Sequence, residues 1–177
     1  MGIRTVRTEG DECLRKVCKP VKSVSLRTRI LIEDMFDTMY ESGGVGLAAP
    51  QIGVLKRIVV MDTDDNQHVL INPQILGVSG EQTGYEGCLS IPGKSGIVTR
   101  PDYVKVKALN ERGEEYVLEG EGLLARCICH ECDHLDGILY SDKAEGGLIN
   151  NEDLPEDEEE ELYEDAYEEF TEEEIHK

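Results

Sequence analysis

The segment His130-Glu131-Cys132-Asp133-His134 has the residue types and the spacing of a metal-hydrolase motif. On an α-helix, residues four apart lie on the same face, so His130 and His134 can bind one ion. Glu131, directly after the first ligand, is placed to take a proton from metal-bound water and transfer it to a leaving group. The pattern predicts metal-assisted hydrolysis, although these three fixed residue types also occur by chance on solvated helices.

A catalytic metal site needs a third protein ligand and a position left open for water. Cys88 is the best candidate, because it follows a strand-like stretch and precedes a turn at Pro92 and Gly93. The alternative is that Cys88 is a small buried hydrophobic residue, as most free cysteines are.

A glycine-rich segment, GGVGLAAPQ, runs from Gly43 to Gln51. Paired glycines followed by small residues allow a close approach of the backbone, and the amide of Gln51 can donate a hydrogen bond. The alternative is a tight connection between a helix and a strand.

In this order and spacing, GVGLAAPQ, EGCLS and HECDH resemble the three sequence motifs of the peptide deformylases. The resemblance extends from Met1 to about Asp142. It implies an enzyme that removes the N-formyl group from the initiator methionine of nascent bacterial or organellar polypeptides and releases formate. N-formyl-methionyl nascent peptides are then its partners.

The resemblance also implies roles for individual residues. Glu131 would be the general acid/base, while Gln51 and the backbone N–H of Leu89 would polarise the formyl oxygen. Donors fixed in advance at such an oxyanion contribute about 3 kcal/mol each. Three positions match the family's metal ligands: Cys88, His130 and His134.

Metal-bound water would attack the formyl carbon in this scheme, because a divalent ion lowers the pKa of its water and polarises the carbonyl. One thiolate and two imidazoles would suit zinc. The resemblance implies Fe²⁺ as the physiological ion, with Zn²⁺, Ni²⁺ or Co²⁺ bound in the isolated protein. The ligand types alone do not decide which metal is bound.

Substrate-binding residues are expected beside these motifs. Cys127, with Val45 and Leu123, is expected to form the wall of a pocket for the methionine side chain. Arg126, close to this region, could equally be an ordinary surface charge. The full set of predicted substrate-binding residues is Gly44, Val45, Gly46, Glu86, Gly87, Leu123 and Cys127.

The cysteines of the motif segment complicate this interpretation. Cys129 stands where many family members have glutamine, which puts a hydrogen bond to a metal ligand in doubt. Cys127, Cys129 and Cys132 also form a C-x-C-x-x-C cluster that could bind metal by itself. A helix turns Cys129 and Cys132 away from the face of the two histidines, which disfavours the cluster.

Secondary structure is predicted from periodicity. A helix is expected from Leu26 to Glu41, ended by Gly43, and the motif helix is expected from Gly122, with a stop at Gly137. The fold class is therefore α+β, with antiparallel or mixed sheets around a central HExxH helix and with an N-terminal helix. Four strands are predicted: Arg57 to Asp62, Val69 to Ile71, Tyr103 to Leu109 and Glu115 to Leu118.

Length and charge predict one catalytic domain at residues 1–150 and an acidic tail at residues 151–177. The tail has 15 Asp and Glu against one Lys, a net charge of −14 out of −20. It is either disordered or a short amphipathic helix with an apolar stripe. Such a tail would be repelled by RNA, so any contact with the ribosome would need another surface or a protein partner. The stripe comprises Leu162, Tyr163, Ala166, Tyr167 and Phe170.

The start of the chain, MGIRTVRTEGDE, lacks the apolar stretch of a secretory signal, and no later run has membrane-spanning length. Its six cysteines are expected to be reduced thiols. We therefore expect a cytoplasmic location and no membrane partner, while the oligomeric state is not predicted. A zinc peptidase of another HExxH type and a non-catalytic metal-binding relative are the alternative functions.

Overall fold

The computed structural model describes residues 2–155. Within these residues the chain forms two α-helices, α1 (Leu26–Glu41) and α2 (Gly122–Leu135), and eight strands in two antiparallel sheets. The predicted α+β class is thereby confirmed. The apolar stripe from Leu162 to Phe170 lies outside the described residues.

The larger sheet has five strands, and each neighbouring pair is antiparallel. Its spatial order is β1, β2, β3, β6, β7. These strands are β1 (Gly46–Ala48), β2 (Ile58–Asp62), β3 (Gln67–Ser79), β6 (Tyr103–Leu109) and β7 (Glu115–Glu121).

The smaller sheet has three strands in the order β4 (Gln82–Cys88), β5 (Ile91–Arg100) and β8 (Glu145–Asn150). β4 and β5 form a hairpin in which Cys88 lies opposite Ile91 across the turn. The turn consists of Leu89 and Ser90, so Cys88 stands at the very end of its strand.

The two helices pack on opposite faces of the larger sheet, because neighbouring residues of a strand point to opposite sides. On β2, Val59 and Met61 belong to the apolar cluster that includes α2. Ile58 and Val60 belong to the cluster that includes α1. Complete burial of each such side chain contributes roughly 1.5–3 kcal/mol. The helix with the two histidines is therefore held against a rigid sheet.

Local signals define the helix ends well. The hydroxyl of Ser25 accepts a hydrogen bond from the N–H of Thr28 at the start of α1. Gly43, with a φ of +72°, follows its last turn. Gly137 follows α2 with a φ of +74°, and an added Cβ there would lie 2.6 Å from the carbonyl oxygen of Arg15. The bounds predicted for α1 are confirmed.

β3 is longer than the predicted strand, which ended at Ile71. Its register shifts between Ile71 and Gln74, and Asn72 in this bulge has a φ of +52°. The side-chain amide of Asn72 pairs with both backbone groups of Val21 at 2.8 Å. A contact distant in sequence thus supports the bulge and lets the strand continue.

Neither helix in residues 2–155 combines the length and the apolar composition needed to cross a bilayer.

Candidate active site

Three predicted metal ligands come together between the smaller sheet and α2. Cys88 lies at the end of β4, and His130 and His134 lie one turn apart on α2. One donor atom of each residue lies within 4.8 Å of the other two. The Cys88 Sγ is 3.4 Å from the His134 Nε2. The group includes none of the three cysteines of α2.

This donor set fits a divalent transition metal. Burial lowers the pKa of His134 well below its usual value, so its imidazole stays in the neutral form that binds metals. Within residues 2–155, the His134 Nδ1 and the Glu131 Oε2 are buried without a hydrogen-bond partner. Such atoms are rare in protein interiors, and the Glu131 oxygen is available to a group bound beside the predicted ligands.

Glu86 orients the predicted ligand His130 from behind. The Glu86 Oε1 is 2.7 Å from the His130 Nδ1, and an ionised carboxylate can only accept, so Nδ1 carries the proton. This leaves the His130 Nε2 available to bind a metal. Arg100 donates to both carboxylate oxygens, at 2.9 and 3.0 Å, and Arg126 donates to Oε2 at 2.6 Å.

The ion pairs around Glu86 continue away from the ligands. Burial acts to raise the pKa of Glu86, but hydrogen bonds from His130 and Arg100 hold it well below its usual range. Arg100 also donates to Asp133 at 2.7 Å, and Lys143 pairs with the same oxygen at 2.9 Å. The smaller sheet and α2 are thus joined by buried, mutually compensated charges.

Glu131 lies on α2 beside the ligands, facing β1. Its side chain is only 4% exposed, and burial raises its pKa to about 7. A Cβ added at Gly46 would lie 2.7 Å from the Glu131 Oε1 and 2.7 Å from the Cys127 Sγ. The backbone φ of Gly46 is not in the left-handed region, so the glycine is required for space alone.

Gln51 presents its amide nitrogen to the same site. Its Oε1 accepts a hydrogen bond from the N–H of Ala48 at 2.9 Å, which fixes the orientation of the amide. The Nε2 then donates to the Ser90 Oγ at 3.1 Å and lies 3.6 Å from the Cys88 Sγ. Leu89 follows Cys88 in the hairpin turn, so its N–H belongs to the same edge of the site.

The sequence and the fold were compared with known proteins. The family model for polypeptide deformylase matches residues 3–147. The chain belongs to this family. A peptide deformylase from Agathobacter rectalis is 60% identical over 148 residues, which cover 84% of this chain and 94% of the relative. A peptide deformylase from Lachnoclostridium phytofermentans is 55% identical over 163 residues, which cover 90% of this chain and all of that relative.

Solved deformylase structures share the fold. The peptide deformylase from Thermotoga maritima is 41% identical, with a TM-score of 0.80 over 82% of this chain and 99% of that one. The Synechococcus elongatus enzyme, solved in complex with actinonin, is also 41% identical, with a TM-score of 0.80 over 82% of this chain and 81% of that one. Deformylases are metal-dependent enzymes that remove N-formyl groups, and this chain is therefore an enzyme.

The residues that were predicted to bind substrate lie in two different parts of the structure. Val45 and Leu123 are each nearly half exposed, and the buried Cys127 Sγ lies 3.9 Å from the carbonyl oxygen of Val45. Gly44 and Gly46 lie beside them, whereas Glu86 and Gly87 do not. Glu86 lies behind His130, and Gly87 lies against β5 near Lys94 and Ser95.

Part of this deformylase site was not predicted from the sequence. Arg126 is 8% exposed and bound to Glu86, not an ordinary surface charge. Its position four residues before His130 was the available signal, because it places both on one helix face. Arg100 and Ser90 had no comparable signal. Cys129 packs in the apolar cluster between α2 and the larger sheet.

Proposed function

We propose that the protein hydrolyses the formyl amide bond of N-formyl-methionyl peptides and releases formate. The site is the one formed by Cys88, His130 and His134. The observation that supports this most directly is the meeting of three ligands with the buried, unpartnered carboxylate oxygen of Glu131.

Cys88, His130 and His134 would hold one divalent metal, and we propose Fe²⁺ as the physiological ion, with Zn²⁺, Ni²⁺ or Co²⁺ able to replace it. When bound, the ion lowers the pKa of a water and polarises the formyl carbonyl. Glu86 keeps the His130 ring in the required orientation through its bond to Nδ1.

Glu131 moves the proton in this proposal. Its Oε2 has no hydrogen-bond partner within residues 2–155, so it is free to accept a proton from water. The same oxygen then gives the proton to the methionine nitrogen as the amide bond breaks. The close approach of Gly46 fixes the position of this carboxylate.

Gln51 and Leu89 would stabilise the negative charge that develops on the formyl oxygen. The Gln51 amide is held by the N–H of Ala48, so its Nε2 needs no reorganisation during the reaction. A donor held in this way contributes roughly 3 kcal/mol to the lowering of the barrier. The N–H of Leu89 is the second donor, placed by the hairpin turn after Cys88.

The substrate side chain would lie along Val45, Leu123 and Cys127. The two exposed apolar residues and the sulfur of Cys127 offer a surface that suits the flexible thioether of methionine. The space beside Glu131 is too small for a single Cβ on Gly46.

The test is formate release from a formyl-Met peptide by protein purified without oxygen, beside the matching acetyl-Met peptide. We expect formate from the first peptide and no reaction of the second. A Glu131→Ala variant should retain bound metal, measured by elemental analysis, but lose turnover. Cleavage of internal peptide bonds in either peptide would instead favour an HExxH peptidase.

The family match over residues 3–147 supports residues 1–150 as the catalytic part of the chain. The separate acidic segment at 151–177 and the cytoplasmic location stay predictions.

A further inference from the structure

A groove lies at the N-terminal end of α1, and none of the metal ligands lines it. Its volume is about 530 Å³. Leu26 and Ile30, one helical turn apart, are 73% and 48% exposed there, and Leu31 and Val54 complete the apolar lining. These exposed side chains are available to pack against another apolar surface.

The rim of this α1 groove is basic, although the whole chain is strongly acidic. Arg27 and Lys56 line the groove, and neither forms an ion pair with any residue of 2–155. Lys19 is joined to Lys56 by a parallel backbone bridge and is likewise exposed and without an ion pair in that part of the chain. Two of these cations, Arg27 and Lys56, thus line the apolar groove, and Lys19 is the backbone neighbour of Lys56.

The first turn of α1 adds to this positive potential. It contains no acidic residue but carries Arg27 and Arg29. The N-terminal end of a helix is the positive end of its dipole, so proteins usually place acidic residues there. An acidic segment bound across the α1 groove would supply the missing negative charge.

We propose that the α1 groove binds the C-terminal segment, residues 156–177, of the same chain. This segment has 13 Asp and Glu and one Lys, which gives a net charge of −12. Its apolar residues recur at three- and four-residue steps, so they can share one face while acidic residues flank them. That combination complements an apolar groove with a basic rim. The apolar residues are Leu162, Tyr163, Ala166, Tyr167 and Phe170.

The length of the segment permits this contact. The described chain ends at Pro155, and the seven residues from there to Leu162 span up to roughly 24 Å when extended. A helix from Leu162 to Phe170 would add about 12 Å. This reach of about 36 Å is more than twice the radius of gyration of about 15 Å of a compact 150-residue body, so the segment can extend well beyond the surface nearest to Pro155.

Lys94 provides an internal control. It is exposed, forms no ion pair within residues 2–155, and lies opposite Asn150 in the smaller sheet, close in sequence to the tail. A tail that stays unbound would meet Lys94 more often than the distant Lys56. A tail bound in the α1 groove would meet Lys56 more often.

The experiment is carbodiimide cross-linking of the full-length protein at low concentration, with the linked peptides identified by mass spectrometry. This reagent couples a carboxylate directly to a lysine amine. We expect tail carboxylates linked to Lys56 or Lys19 several-fold more often than to Lys94, and in the monomer. Salt at about 0.5 M, where the screening length is roughly 4 Å, should reduce these links.

A triple variant, Tyr163→Ser, Tyr167→Ser and Phe170→Ser, keeps every charge of the tail and removes its large aromatic side chains. We expect its links to Lys56 to fall to the level of Lys94. We also expect faster amide exchange at the start of α1 in this variant than in the parent. Unchanged links to Lys56 in the variant, or equal links to Lys94 and Lys56 in the parent, would overturn the proposal. Links confined to a dimer would also overturn it, since the groove would then bind the tail of a second copy.

Discussion

Replacement of Glu86 by glutamine tests whether this buried carboxylate holds the metal site together. Glu86 is 6% exposed and accepts hydrogen bonds from His130, Arg100 and Arg126. Glutamine has nearly the same shape but carries no charge, and it offers one acceptor oxygen where the carboxylate has two. The two arginines then lose their shared counter-ion, and the His130 ring loses its fixed orientation.

Glu86→Gln should lower both the metal affinity and the stability of the folded protein. Loss of an orienting partner behind a metal-bound histidine lowers metal affinity by about 10–100-fold, or roughly 1.4–2.7 kcal/mol. Removal of one partner from a buried ion pair costs about 3–5 kcal/mol, and we expect the lower end because Arg100 keeps Asp133. A loss of about 3 kcal/mol lowers the melting temperature of a domain this size by roughly 10 °C.

The assays are competition with a metal chelator and thermal unfolding of the metal-loaded protein. Asp133→Asn is the matched control, because Asp133 pairs with the same Arg100 but, within residues 2–155, forms no ion pair with His130. It should be destabilised less than Glu86→Gln and should keep its metal affinity within a few-fold. Metal affinity unchanged in Glu86→Gln, or lowered equally in both variants, would refute the role assigned to Glu86.

Three further predictions concern the site. Gln51→Leu, similar in size but without a donor, should lower kcat about 100–1,000-fold in steady-state deformylation and leave the metal content unchanged; an unaltered kcat would contradict the role of the amide. Gly46→Ala should displace Glu131 and Cys127, because the added Cβ would lie 2.7 Å from the Glu131 Oε1 and 2.7 Å from the Cys127 Sγ, and activity should fall strongly. The control is Gly77→Ala on the larger sheet, where an added Cβ has no neighbour within 4 Å and activity should be unchanged. Removal of the metal by a chelator should lower the melting temperature, and added metal should restore it by mass action; equal melting temperatures with and without metal would show that the ligands do not bind it in the folded state.

The grouping of Cys88, His130 and His134 could be predicted because its signals are local. A helix places His130 and His134 on one face whatever surrounds it, and the EGCLS motif singles out one cysteine among six. The role of Glu86 could not be found in this way. Its orientation depends on a register shift between Glu86 and Cys88, and its partner Arg100 comes from the next strand.

The difference between local signals and distant contacts also explains which elements of the fold could be predicted. The ends of α1 were predictable because Ser25 and Gly43 act on their immediate neighbours. β8, with two glycines in six residues, has little strand propensity and is held by pairing with β5. The continuation of β3 beyond Asn72 depends on a contact with Val21, 51 residues earlier. Such elements depend on contacts between residues distant in sequence, and the periodicity of the sequence does not reveal those contacts.

The ion pairs that join Glu86, Arg100 and Asp133 connect the smaller sheet to α2 through protein groups alone. The three ligands are thus brought into place by the folding of the chain itself. We therefore expect that metal can be loaded after folding, and that one ion can be exchanged for another without rebuilding the scaffold. Since thiolate and imidazole ligands accept several divalent ions, we expect the ions available in the surroundings to influence which one is bound.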